Sequence, residues 1–207
     1  VSLEKIIDSY KTLKAPSEGL YKEKGSKFIA VAIPVRNEEE IKVQLEELRK
    51  KYYDARHHCY AWALGVGREF HRANDDGEPS NSAGKPILGR LESHDLTFLL
   101  IVVVRYFGGV KLGVGGLINA YRSAAEDAIL NGVIVKKKQK MIFEVYFEYP
   151  QMNDIMQLVK NNPLTQLDQQ FELHCKLKLS CPNGKFSQLK AVFLGIENVK
   201  IVELEVE

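Results

Sequence analysis

Apolar residues at Ile41, Leu45, Leu48 and Tyr52 recur at helical spacing among charged neighbours, which predicts an amphipathic helix over 38–53. Asn37 stands where a cap is needed, Glu40 is placed to close a capping box, and Glu38, Glu39 and Glu40 suit the positive end of the helix. Upstream, LYKEK and KFIAVAIPV read as strands parted by Gly25-Ser26, and HCYAWALG and REFHRAND read as two more after the helix. A second helix is predicted from about Ser82 to His94, with Ser82 as its cap and Pro86 tolerated in its first turn. Phe98–Val104 is apolar at every position, so this strand should be central and buried on both faces. Beyond the glycine-rich RYFGGVKLGVGG, Leu117, Tyr121, Ala124 and Ala128 mark one face of a third helix ending at Asn131-Gly132.

KKKQK, at 136–140, reads as a polar join, and the chain is therefore divided into domains at 1–135 and 136–207. In the second, MIFEVYFEY is a strand, and Met152, Ile155, Met156 and Val159 make a helix stopped by Asn161-Asn162-Pro163. Strands near Gln166–Leu173 and Cys175–Cys181 follow, then a helix carrying Phe186, Leu189 and Phe193, then the strand VKIVELEV. This βαββαβ order matches a ferredoxin-like sandwich, so the whole chain is expected to be α+β.

Composition adds little: 45% hydrophobic and 27% charged residues are ordinary globular values. The net charge of +2 is unevenly spread, because residues 1–140 carry 23 Lys+Arg against 18 Asp+Glu and residues 141–207 carry 6 against 9. That excess permits phosphate-rich partners on the front part without demanding them. Cys59, Cys175 and Cys181 cannot all pair within one chain, and no signal peptide is evident, so reduced thiols and a cytoplasmic location are expected. No apolar stretch approaches the ~20 residues that span a bilayer.

The glycine run is neither standard nucleotide loop. Lys111 is not followed by Ser or Thr, and the spacing begun by Gly113 and Gly115 meets Ile118 where glycine is required. Two readings stay open. Gly108, Gly109, Gly113 and Gly115 can expose backbone N–H groups to an anion between Arg105 and Lys111, or they can form only a tight strand-to-helix turn. Asp75, Asp76 and Glu78 can hold a hard cation, orient a basic neighbour such as Arg105 or meet a partner, or they can belong to an ordinary acidic turn. Lys85, at the start of the second helix, is a further anion candidate against a plain capped helix. In His57-His58-Cys59, strand alternation sends His57 and Cys59 to one face and His58 to the other, too few ligands for zinc. No metal or cofactor is therefore expected, and the histidines face a partner or are buried. Among Tyr60, Trp62, Phe70, Tyr106 and Phe107, most are expected in the core, with Tyr106 exposed beyond the strand end.

GSKFIA, HHCYAW, DDGEPSNSAGKPIL and VVVRYFGGVKLGVGGLINAYRSAA, in that order, resemble the YigZ/Impact family over roughly residues 10–130. The resemblance implies a front domain with the fold of ribosomal protein S5 domain 2 and a rear domain like domain V of elongation factor G. It also implies an RNA-binding or ribosome-associated role in translation regulation. The family commonly has Gly-Thr where this chain has Asn81-Ser82, a difference expected to alter that turn. The expected function is binding of RNA, the ribosome or another translation partner, with Lys85, Arg105, Tyr106, Lys111, Arg122, His57 and His58 beside the loop amides. Two alternatives stand beside it: an enzyme acting on a small phosphorylated substrate, by fold analogy with kinases, and a protein-binding module using the rear sheet face.

Overall fold

The computed structural model describes residues 9–172 and 174–206; residues 1–8 of the expected front domain, and Leu173 at an expected strand end, lie outside them. The chain forms two compact units, Tyr10–Lys137 and one built from residue 138 onward, both mixing helices and sheets. No helix is long and apolar enough to cross a membrane.

In the front unit, β2 (Ser17–Glu23), β3 (Ser26–Pro34), β4 (His57–Leu64), β5 (Phe70–Asn74) and β6 (Leu99–Tyr106) form one antiparallel sheet in the order β2-β3-β6-β4-β5. Strand β6 is central, and Leu99–Val104 are fully buried because alternate residues enter two cores. On one face Phe28, Ala30, Cys59, Ala61, Ile101 and Val103 pack against α2 (Gly84–Ser93) and α3 (Gly113–Asn131). On the other, Val31, Tyr60, Trp62, Leu100 and Val102 pack against Ile41 and Leu48 of α1 (Glu38–Lys51). Asn37 caps α1 by accepting from Glu40 N at 2.9 Å, whereas the Glu40 carboxylate reaches Arg36 N instead of closing the box.

Three local expectations change. The β2–β3 turn sits at Lys24-Gly25, both left-handed, as a two-residue hairpin requires, and Ser26 joins β3. The two units part between Lys137 and Lys138, inside the expected join, but Lys136–Lys138 also belong to a strand, β7 (Ile134–Lys138), which pairs with β1 (Ser9–Leu13); the pair leaves the lysines in solvent, so no apolar rhythm marks the strand. Ser82 does not cap α2: its hydroxyl donates to Pro79 O at 2.6 Å, and the cap comes from Asp75, nine residues before the helix.

In the rear unit, β8 (Lys140–Phe147), α4 (Met152–Asn161), β9 (Thr165–Phe171), β10 (Cys175–Pro182), α5 (Asn183–Leu194) and β11 (Lys200–Val206) follow in βαββαβ order. Their antiparallel sheet runs β11-β8-β10-β9. Phe143, Val145, Leu177 and Leu179 meet Ile155 of α4 and Phe186, Leu189 and Phe193 of α5 in one core.

Candidate functional site

The registers of β3, β6 and β4 bring Phe28, Arg105 and His57 into one row on the sheet face that carries α2 and α3. Arg105 therefore turns toward the core. Only 8% of it is exposed, and its Nη1 lies 2.5 Å from Oε1 of Glu78, whose side chain is 4% exposed. Its guanidinium also stands over the rings of Phe28 and Phe107, at 5.5 and 5.6 Å. Tyr121 of α3 donates to the same Glu78 oxygen at 2.8 Å. The Cys59 thiol has two acceptors in reach, Tyr121 OH at 3.3 Å and Asp75 O at 3.0 Å. Burial pushes both the Cys59 thiol and the Tyr121 phenol up, so each keeps its proton and serves as a donor.

The acidic turn is built by its own side chains. Asp75 Oδ1 accepts from Ala83 N and Gly84 N at 2.9 and 2.8 Å, and Oδ2 accepts from Asn81 N at 2.8 Å. Asn81 adopts φ 60°, the left-handed conformation that asparagine tolerates best after glycine, so Asn81-Ser82 keeps a turn that glycine would favour. Asp76 accepts from His58 N at 2.7 Å and faces Arg49 at 3.7 Å, while its carbonyl lies 2.8 Å from His57 Nδ1. A carbonyl only accepts, so neutral His57 carries its proton on Nδ1 and leaves Nε2 as an acceptor. Asp75 is thus a helix cap, Asp76 a strap on β4, and Glu78 the counter-ion of Arg105. Among the described residues, no three His, Cys, Asp or Glu side chains are grouped to hold a metal ion.

Asp75→Ala removes the acceptor for three backbone N–H groups around the start of α2. It should cost the front unit about 2 kcal/mol. Trp62 is the single tryptophan and lies in the α1-side core, so urea denaturation followed by its fluorescence reads this unit alone. An unchanged midpoint would assign the cap elsewhere.

Beside the Arg105–Glu78 pair lies a half-open cavity of about 770 Å³. His57, Glu78, Arg105, Tyr106, Lys111 and Gly113 all line it, as do Arg56, Phe107, Leu112, Val114 and Leu117. Exposed Arg56 and Lys111 have no ion-pair partner among the described residues. Tyr106 is half-buried; its hydroxyl donates to Asp54 at 2.8 Å, and that bond pushes its pKa up to about 12. Lys85 and Arg122 are exposed but line no part of the cavity. His58 points to the α1 face, buried, and burial lowers its pKa. Tyr60 and Trp62 are core residues, whereas Phe70 and Phe107 are exposed.

The glycines divide by role. Gly108 N donates to Ser26 Oγ at 3.1 Å, so this amide is held internally. Gly109 and Gly113 adopt φ 88° and 70°, and Gly113, Gly115 and Gly116 form the first turn of α3. That turn has neither a capping side chain nor an acidic residue, and its positive end stays uncompensated next to Lys111. Arg56 is a lining residue that spacing did not single out; its only signal is its place directly before His57 at the mouth of β4.

A family model described as the Impact N-terminal domain matches residues 24–129. The chain is 35% identical over 150 residues to the IMPACT family member YvyE of Bacillus subtilis, covering 72% of this chain and 69% of that protein. It is 29% identical over 203 residues to the IMPACT family member YigZ of Escherichia coli, covering 97% and 100%. A crystal structure of a hypothetical protein superposes with TM-score 0.70 at 28% identity, over 96% of this chain and 98% of the other.

Proposed function

The chain belongs to the Impact family, and from that premise we propose that it binds RNA, or a ribosomal or other translation partner, and acts in the regulation of translation. The cytoplasm is its proposed location. The front unit is read as the fold of ribosomal protein S5 domain 2. The rear unit, with its βαββαβ order and β11-β8-β10-β9 sheet, is read as ferredoxin-like and akin to domain V of elongation factor G.

The observation that carries this reading is the mouth of the front cavity, where two unpaired cations, Arg56 and Lys111, stand with the uncapped start of α3. Such a group attracts phosphate oxygens without reading sequence. Arg105 contributes differently from a surface cation. Glu78 neutralises it, so it shapes the cavity while Arg56 and Lys111 supply the field.

The test is titration of a fluorescent single-stranded RNA between about 50 and 200 mM salt. Each phosphate contact contributes about 0.7 to the slope of log affinity against log salt for single strands. Arg56→Ala with Lys111→Ala should lower that slope by about 1.4 and weaken binding at every sequence tried. An unchanged slope removes the cavity mouth from the interface.

A further inference from the structure

We infer that the front cavity is a nucleotide pocket that takes one nucleobase at its floor and leaves the attached phosphate at its mouth. The inference deepens the RNA reading, on which it rests for the macromolecular source of that nucleotide; a free nucleoside monophosphate offers the same chemistry.

The floor cannot hold the phosphate. A phosphate placed on Arg105 would also face the Glu78 carboxylate, which lies 2.5 Å from the guanidinium, and burying two like charges together is strongly unfavourable. What the floor offers is a neutral ion pair with unused hydrogen-bonding capacity. Arg105 and Tyr121 both donate to Oε1 of Glu78, and Oε2 has no partner among the described residues. Buried Arg105 Nε likewise has none. A carboxylate oxygen held in this way accepts from an N–H donor, and every nucleobase carries an amino or imino N–H on its pairing edge.

The walls and mouth fit the rest of the nucleotide. Tyr106, Leu112, Val114 and Leu117 line the cavity with aromatic and aliphatic surface, suited to the faces of a flat ring. Its volume of about 770 Å³ lies within the range of small-ligand sites. Arg56 and Lys111 are exposed, so the anion they attract stays at the surface, where a polynucleotide chain can continue in both directions. A base paired inside a duplex cannot enter. The pocket therefore selects unpaired RNA or a free nucleotide.

The experiment titrates the full chain with the four ribonucleoside monophosphates, inorganic phosphate, and single- and double-stranded RNA of equal length. Val114→Trp serves as the blocking variant: Val114 is 52% exposed and lines the cavity, so an indole fills the space without altering charge or core. At least one nucleotide should saturate one site at least tenfold tighter than inorganic phosphate, and Val114→Trp should weaken it at least tenfold with the Trp62-side core unfolding as before. Single-stranded RNA should bind at least tenfold tighter than duplex and lose that preference in Val114→Trp. Nucleotides binding no tighter than phosphate, or unaffected by Val114→Trp, overturn the pocket. Salt-dependent RNA binding that ignores Val114→Trp overturns the pocket and leaves the RNA reading standing. Nucleotide saturation abolished by Val114→Trp, with no RNA bound at any salt, upholds the pocket as a free-nucleotide site and ends the RNA reading.

Discussion

Replacing Arg105 with Met should destabilise the front unit by about 4 kcal/mol. Both members of the Arg105–Glu78 pair are more than nine-tenths buried, so removal of the cation leaves the Glu78 charge with only the Tyr121 hydroxyl for compensation. Glu78→Leu should cost a similar amount, since it strands the guanidinium between Phe28 and Phe107. The double variant should cost less than either single change, because two apolar side chains of comparable length can fill the space without a desolvated charge. Urea denaturation read by Trp62 fluorescence measures all three, and thermal midpoints should fall by roughly 12–20 °C in the single variants. Strictly additive costs would mean that the pair is not coupled. This outcome also bears on function: a residue whose loss destabilises the domain this much cannot be tested as a phosphate ligand by mutation alone, and for that reason Arg56 and Lys111 carry the binding test.

Gly108→Ala is the second large effect. A Cβ at this position would come within 1.9 Å of Gly25 C and 2.2 Å of Ser26 N, both backbone atoms that no rotamer change can move. The loop after β6 lies directly on the β2–β3 turn and is tied there by the Gly108 N–H to Ser26 Oγ. Pushing the two apart should cost about 3 kcal/mol. Gly115→Ala is the contrast, because its Cβ would meet nothing within 4 Å and its backbone is helical. That change should stabilise the unit by about 0.5–1 kcal/mol through lower unfolded-state entropy and better helix propensity. The same denaturation assay compares them. Equal midpoints for the two variants would refute the view that these neighbouring glycines have different reasons to be present.

The glycines of RYFGGVKLGVGG have different structural surroundings. The run is not one device. Gly108 permits backbone to approach backbone, Gly109 and Gly113 take left-handed conformations, and Gly115 begins a helix whose N-terminus opens beside Lys111. A pattern of glycines in sequence records that small residues are tolerated; it does not say whether the neighbour that requires them is a strand, a turn or a ligand.

The sequence by itself determined most of the elements, because helices and strands are set by periodicities that short windows display. The amphipathic α1, the wholly apolar β6 and the βαββαβ order of the rear unit each follow from which side chains must leave water. It missed β7, whose lysines face solvent and show no rhythm, and it misassigned the cap of α2, where Ser82 sits at the expected place but Asp75 does the work from across a turn. Only the tertiary structure decided what the charged residues do. Arg105 and Glu78 are 27 residues apart, and nothing local distinguishes two surface charges from a buried pair; the β3–β6–β4 register and the turn after β5 bring them together. Alternation along β4 already separates His57 from His58, but only the folded sheet places Arg56 with Lys111, because contacts across a sheet depend on strand order, and strand order is a property of the whole chain.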